Sequence, residues 1–270
     1  MKTTPYILFR VDEDNEEEYE AAKRVWRHRV TRFRSEIPPN SRVIGRYSVL
    51  PFYKDLADEL AIHDSALVNS YAQHRFIANM DWVPVLGDLT FKTWFDVGHA
   101  TAPLTEHGWV VKGRTNSRKF KWRTHMYAPD RIALKFVMEN LYDDELIRDQ
   151  GLVVREYVPL MEVGQGINGL PLTNEYRVFM LDGLPVSSGF YWSIAEDADD
   201  HQGTPSGALT CAVEAQRRLG DQAPPFYVVD VAQTQAGDWK VVELNDGQMS
   251  GLSMIDPEKF YRKLAKKLKR

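Results

Sequence analysis

Three side chains with hard oxygen atoms stand close together late in the sequence: Asp230, Glu243 and Asn245. The stretch FYVVDVAQTQAGDWKVVELNDGQMSGL, residues 226–252, reads as a strand over 226–232, a turn over 233–238 and a second strand over 239–244. Val, Tyr and Trp crowd the two runs, and Gly237-Asp238 marks the turn. Antiparallel pairing places Asp230 across from Glu243, and the two-residue repeat of a strand brings Asn245 to the face of Glu243. Two carboxylates and an amide oxygen are ligands that Mg2+ accepts when it also bridges nucleotide phosphates. A hairpin whose acids simply face water is the plainer alternative. The acids, however, lie inside apolar runs, where an unpaired charge is costly.

Other charged residues interrupt strands in the same way. Lys112 ends the apolar run WVVKG, where a lysine either snorkels to water or aims at phosphate. The following loop adds Arg114, Thr115, Ser117, Arg118 and Lys119, a basic segment able to close over a triphosphate. Its single glycine, Gly113, makes it unlike a backbone-amide cradle, and no G-x-x-x-x-G-K-[ST] or strand-following G-x-G-x-x-G occurs. Glu156 breaks GLVVREYV, either as an exposed edge position or as part of a strand edge that holds adenine. Glu175 and Arg177 alternate along NEYRVF and share a face. They form a salt-bridge pair, or Arg177 clamps phosphate or carboxylate with Glu175 orienting it. The histidines, at 28, 63, 74, 99, 107, 125 and 201, show no zinc-binding spacing. Cys211, in ALTCAVEAQ, reads as a small core residue, and no G-x-S-x-G elbow is present.

The elements that must position these residues fall into two styles. Strands over 6–11, 42–47 and 67–69 alternate with helices over 16–33 and 51–60, which predicts a small open parallel sheet. The stretch 81–93 reads as a connection, with Thr90 capping a short helix over 92–97. Beyond it come a strand at 109–113, a helix at 130–141, a strand at 151–158, a glycine-bearing loop at 164–171 and a hairpin turning at Asp182-Gly183. A polar stretch at 197–207, a helix at 209–219, the acidic hairpin and a terminal helix at 257–270 complete the chain. The second style is α+β, and the boundary falls near 84–88.

With 270 residues, 43% hydrophobic and 27% charged, the chain can bury a substantial core in one large or two moderate domains. The formal net charge of −4 favours no nucleic-acid role on average. Acids concentrate over 12–20 and bases over 24–34 and 259–270, so the basic helices are either solvated surface or an anionic-partner face. A single cysteine excludes an internal disulfide and fits a cytosolic, cytoplasmic setting. No apolar run reaches the ~18 residues of a membrane span. The opening run YILFRV is too short for a secretory signal.

Taken together, the strand lysine in WVVKG, the basic loop, VVREYV, NEYRVF and the pair VVDVA…VVELNDG resemble the ATP-grasp superfamily. More narrowly, RYSVLPF, LTFKTW, VKGRTNSRKFKW, REYVPL, INGLP and NEYRVF resemble its phage and bacterial clade named for two arginines and a lysine. The resemblance spans essentially the whole chain. It implies an α+β ATP-grasp fold over 89–270, two lobes clamping ATP, preceded by a pre-ATP-grasp α/β domain over 1–88. It implies that Lys112 and Lys92 contact the ATP phosphates, aided by Arg114 and Lys119, and that Glu156 with Tyr157 and Val158 holds adenine. Arg177, flanked by Glu175, would reach the γ-phosphate or an acyl phosphate, and Asp230, Glu243 and Asn245 would hold Mg2+. The implied activity joins a small-molecule or peptide carboxylate to an amine, or to a thiol, through an acyl phosphate with release of ADP. Phosphoryl transfer needs positioning and charge neutralisation more than a nucleophile, which suits a chain without one. Two rivals are a nucleotidyltransferase carrying lysyl-AMP on Lys112 and a non-catalytic protein that binds ATP or nucleic acid. Arg46, Tyr47, Tyr71, His74 and Arg75 are candidates for the substrate side of the cleft. The sequence leaves the substrates and the oligomeric state open.

Overall fold

The computed structural model describes residues 4–49 and 51–268. The chain opens with β1 (Tyr6–Leu8), α1 (Glu16–Trp26), β2 (Val30–Thr31), β3 (Arg42–Ile44), α2 (Tyr53–Ala61) and β4 (Ala66–Leu67). The four strands form a parallel sheet in the order β2-β1-β3-β4. The helix expected over 16–33 stops at Trp26, because Arg27 takes a left-handed φ of 53°. The β-branched Val30 and Thr31 then add a strand beside β1 and bury their side chains. Two helices of this first part of the chain went unanticipated: α3 (Tyr71–Ala78) and α4 (Val83–Leu86). A reciprocal capping box between Ser70 and Gln73 starts α3. Pro84 sits in the first turn of α4, where its missing N–H costs nothing.

A second sheet is antiparallel, in the order β5-β8-β6-β7. Its strands are β5 (Thr93–Phe95), β6 (Trp109–Gly113), β7 (Tyr127–Ala128) and β8 (Leu152–Glu156), with α5 (Trp122–His125) and α6 (Arg131–Tyr142) between them. The helix expected over 92–97 is the strand β5, paired with residues 153–155. Thr90 is no cap: its hydroxyl donates to the Val241 carbonyl at 2.8 Å. Asp130 caps α6 by accepting from the Ala133 N–H at 2.8 Å, and Leu134, Val137, Met138 and Leu141 bury one face.

The loop expected over 164–171 is a short hairpin of β9 (Glu162–Gln165) and β10 (Pro171–Thr173). The last sheet has the order β12-β11-β13-β14. It contains β11 (Glu175–Leu181), β12 (Leu184–Phe190), β13 (Phe226–Gln233) and β14 (Trp239–Asp246), with α7 (Ser206–Leu219) after β12 and α8 (Pro257–Leu268) at the end. Asp182 and Gly183 turn with φ of 45° and 79°, the two positive values a type I′ turn requires. One sheet face, with Tyr176, Val178, Tyr227 and Val229, packs on Ala208, Ala212 and Ala215 of α7 and on Trp82 and Leu86 around α4. The other face, with Phe179 and Val228, packs on Phe260, Tyr261 and Leu264 of α8 and on Ile7 and Phe9 of the first sheet. Further along this second face, Glu175, Arg177 and Asp230 continue the alternation, so the polar residues start where the α8 core ends. Among the described residues no helix is long and apolar enough to cross a membrane.

Candidate active site

Strand register builds the site. Arg177 lies opposite Asp230, and Asp230 opposite Glu243, forming one row across β11, β13 and β14. Asp230 accepts from Arg177 Nε at 2.9 Å and from Nη2 at 2.8 Å, a bidentate pair with the carboxylate almost fully buried. Arg177 Nη1 also donates to the Gly251 carbonyl at 2.8 Å. Burial alone would lower Arg177, but Asp230 outweighs it and holds the guanidinium above its ordinary range. Arg177 therefore pairs with Asp230, not with Glu175. The Asn245 amide reaches Asp230 at 3.1 Å and Glu243 at 3.3 Å.

Lys112 comes to this row from the other lobe. Its ammonium forms an ion pair with Glu243 Oε1. Burial would raise the Glu243 carboxyl, yet Lys112 and Lys119 pull it down to about 2. Gly113 follows because a Cβ there would sit 2.6 Å from Gln150 Oε1. That oxygen accepts from Thr115 N at 3.2 Å, Thr115 Oγ1 at 2.8 Å and Asn116 N at 3.1 Å, so Gln150 holds the tip of the basic loop. Arg114 is spent on Asp96 at 3.1 Å, and Arg118 on Asp144 at 2.7 and 2.5 Å. Lys119 points inward, donating to the Tyr191 hydroxyl at 2.7 Å. Burial favours its neutral form, but Tyr191, Glu175 and Glu243 keep it raised and charged.

Between the two lobes lies a cavity of about 130 Å³. Phe91, Val110, Met126, Leu170 and Trp192 give it apolar walls, and Lys112, Lys119, Glu175 and Glu243 line it as well. Ser117, Lys119 and Glu243 also border a wider cleft of about 800 Å³, which holds Arg114, Arg177 and Asn245. Glu156, Tyr157 and Val158 all line the small cavity. The Tyr157 N–H is already donated to the Gly108 carbonyl at 2.9 Å. Glu156 turns its carboxylate to Lys92, accepting from the backbone N–H at 3.0 Å with the ammonium at 3.3 Å. Lys92 is 76% exposed at its side chain and stands outside both spaces.

The wall offers charged and polar groups that bear on a nucleotide and a divalent cation. Glu175 Oε1 is buried without a hydrogen-bond partner among the described residues, while Oε2 accepts from Thr173 Oγ1 at 3.1 Å. Burial pushes the Glu175 carboxyl up to about 7, with Lys119 pulling back and Asp230 adding to the rise. Among the described residues no three His, Cys, Asp or Glu side chains form a metal cluster. The cation donors present are the oxygens of Glu243, Asn245 and Asp230. Asp230 already spends three of its roughly four lone-pair positions on Arg177 and Asn245.

The family described as ATP-grasp domain, R2K clade family 3, matches residues 99–264. The chain belongs to this family. Its ATP-grasp fold extends over nearly the whole length in solved structures. D-cycloserine synthetase DcsG superposes with a TM-score of 0.62 at 14% identity, covering 98% of this chain and 100% of its own. A RimK domain ATP-grasp protein from Sphaerobacter thermophilus gives 0.61 at 14% identity, covering 98% and 100%. The macrocyclase MdnC from Microcystis aeruginosa, bound with precursor peptide MdnA, gives 0.59 at 12% identity, covering 98% and 99%. No curated protein matches the sequence.

Three residues of the candidate site escaped the sequence reading. Arg155, buried beside Glu156, crosses between lobes to the Val242 carbonyl at 2.7 Å and to Thr90 Oγ1 at 3.0 Å. A charge inside an apolar strand flagged Lys112 and Asp230, and the same signal marks Arg155. Tyr191 lies under both Lys119 and Arg177, with the ring 4.5 and 4.8 Å from their charged heads. Asp246 is buried directly after the E-x-N motif. Of the N-terminal candidates, His74 lines the wide cleft. Tyr71 and Arg75 line the adjoining cleft of about 670 Å³. Arg46 is instead fully buried, bonded to Glu18 at 2.7 and 2.9 Å and to the Ser250 carbonyl at 2.9 Å. Cys211 packs in the core, and burial pushes its thiol up to about 12.

Proposed function

We propose that the protein is an ATP-dependent ligase that joins a carboxylate to an amine, or to a thiol, with release of ADP and phosphate. The observation that carries this reading is the row Arg177–Asp230–Glu243, on which Lys112 and Lys119 close where an apolar cavity opens into a polar cleft. Bound ATP with Mg2+ supplies the phosphoryl group that turns the carboxylate into an acyl phosphate. The chain's own residues bind and neutralise. Lys112 and Lys119 meet phosphate oxygens, and Arg177 offsets charge at the transferred group. Glu243 and Asn245 hold the cation, with Asp230 fixing Arg177 beside them. Glu156, Tyr157 and Val158 frame the base, and the Arg114 side of the loop faces the incoming substrate. Residues 1–88 act as the pre-ATP-grasp domain and wall the acceptor side, and 89–270 form the ATP-grasp domain. Structural relatives named for a D-cycloserine synthetase and a peptide macrocyclase support amino-acid-like or peptide carboxylates.

The test is the nucleotide product. The protein is incubated with Mg2+, labelled ATP and pooled carboxylates and amines, with Glu243→Ala as the blank. ADP and phosphate, absent from the blank, are the expected outcome. AMP and pyrophosphate would move the lysyl-AMP reading at Lys112 to first place, and binding without turnover would favour a non-catalytic protein.

A further inference from the structure

Two buried polar atoms face each other behind the cleft. His74 Nδ1 lies 3.5 Å from Asp246 Oδ2. Neither atom has a hydrogen-bond partner among the described residues, and both are sealed from solvent. The other Asp246 oxygen is satisfied, accepting from Asn69 Nδ2 at 2.8 Å and from the Gln248 N–H at 2.9 Å. Stacking fixes the imidazole: its ring lies 4.2 Å from that of Tyr53 at an interplanar angle of 17°. Tyr53 is itself locked, donating to the Asn69 carbonyl at 2.9 Å and accepting from Gln248 Nε2 at 2.7 Å.

A buried carboxylate oxygen aimed at an imidazole nitrogen is satisfied when that nitrogen carries the proton. With the proton on Nδ1, the lone pair sits on Nε2. Nδ1 is sealed, so the exposed part of the ring, 16% of the side chain, lies on its other atoms. His74 thus borders both the cleft that holds Arg177, Glu243 and Asn245 and the outer cleft beside it, between α2, α3 and Thr115.

We infer that His74, held by Asp246 and Tyr53, is the base that deprotonates the amine acceptor. This rests on the ligase reading. An alkyl amine is an ammonium ion at neutral pH and has no lone pair with which to attack. One proton passes from the ammonium to His74 Nε2. The freed nitrogen pair forms the C–N bond, and the bond between the acyl carbon and the bridging phosphate oxygen breaks. Phosphate departs with that electron pair and takes the second proton from nitrogen. Asp246 and Tyr53 are positioning residues in this step.

The experiment compares two acceptors in the wild-type protein and in His74→Asn. The asparagine amide can still donate toward Asp246, so the buried contact keeps its shape while the outer nitrogen is lost. Donors are a pool of amino acids, N-acetylated amino acids and short peptides with MgATP. Acceptors are amino-acid amines or hydroxylamine, which is largely unprotonated at neutral pH. The variant should lose ~100-fold or more in amide formation, within the range for a positioned base. Hydroxamate formation should stay within a few-fold of wild type. Equal losses with both acceptors, or no loss with either, overturn the assignment. Ring-nitrogen NMR of the ligand-free protein reads the same dyad without turnover: a proton on Nδ1 supports it, and a proton on Nε2 overturns it. A wild-type protein that forms neither product counts against the ligase reading, and the NMR result still decides the dyad.

Discussion

Removing Arg177 leaves Asp230 as a buried carboxylate with only the Asn245 amide, at 3.1 Å, as its hydrogen-bonded partner among the side chains described here. Two charge-assisted hydrogen bonds are lost, at 2.9 and 2.8 Å, each worth about 1.5–3 kcal/mol. Breaking one side of a buried pair typically costs about 3–5 kcal/mol. Arg177→Ala should therefore lower the melting temperature by on the order of 10 °C for a chain of this size. Asp230→Ala should cost a similar amount, because Arg177 is then buried without its carboxylate, keeping the Gly251 carbonyl and the Tyr191 ring. The double variant carries no stranded charge. Its loss should fall short of the summed single losses by about 3 kcal/mol, the signature of a coupled pair. The assay is denaturant unfolding of the four proteins at neutral pH. Losses additive to within about 0.5 kcal/mol would show that the two residues do not act as a pair and refute the reasoning.

Three further outcomes follow from neighbouring contacts. Arg46→Met leaves the Glu18 carboxylate on the Tyr47 and Tyr261 hydroxyls without its cation and removes a donor from the Gly247 and Ser250 carbonyls, and should cost about 3–5 kcal/mol, read as a fall in melting temperature. Glu175 binds a proton in the folded chain up to about 7 but only to its ordinary 4.5 when unfolded. Its stability contribution is thus fully present below 4.5 and lost as pH rises toward 7. At 1.36 kcal/mol per unit that loss is about 3 kcal/mol, and Glu175→Gln should abolish the slope in a series of melting curves. Lys112→Ala should weaken ATP binding by roughly 100-fold, the equivalent of ~3 kcal/mol, in competition against a fluorescent ATP analogue. Unchanged affinity would place Lys112 outside the phosphate site.

The hairpins were legible because a strand's two-residue repeat and a Gly turn fix register locally. The Asp182-Gly183 turn follows from that alone, whereas Asp230 opposite Glu243 also needs the bulge between Asp230 and Val231, without which Val242 would face Asp230. Short strands were not legible. Val30–Thr31 follows a helical pattern closely, and the left-handed Arg27 with one 3-10 turn over Arg27–Arg29 separates them. LTFKTW carried a plausible cap in Thr90, but that hydroxyl is used by Val241, far away in sequence. The wall residues were read in part. Lys119 and Glu175 carried visible charges, whereas the pairings of Arg155 with Val242 and of His74 with Asp246 join distant segments. The loop's charge was visible, but not that Asp96 and Asp144 would occupy Arg114 and Arg118.

The most direct test of the central claim follows oxygen. Pooled carboxylates labelled with 18O are incubated with MgATP, an amine pool and the protein, and the products are resolved by mass. Transfer of the γ-phosphoryl group to the carboxylate puts one labelled oxygen into inorganic phosphate, with ADP as the nucleotide product, and Glu243→Ala should abolish it. Label appearing in AMP would mean adenylation, and label absent from both phosphate and AMP during turnover would contradict the acyl-phosphate account.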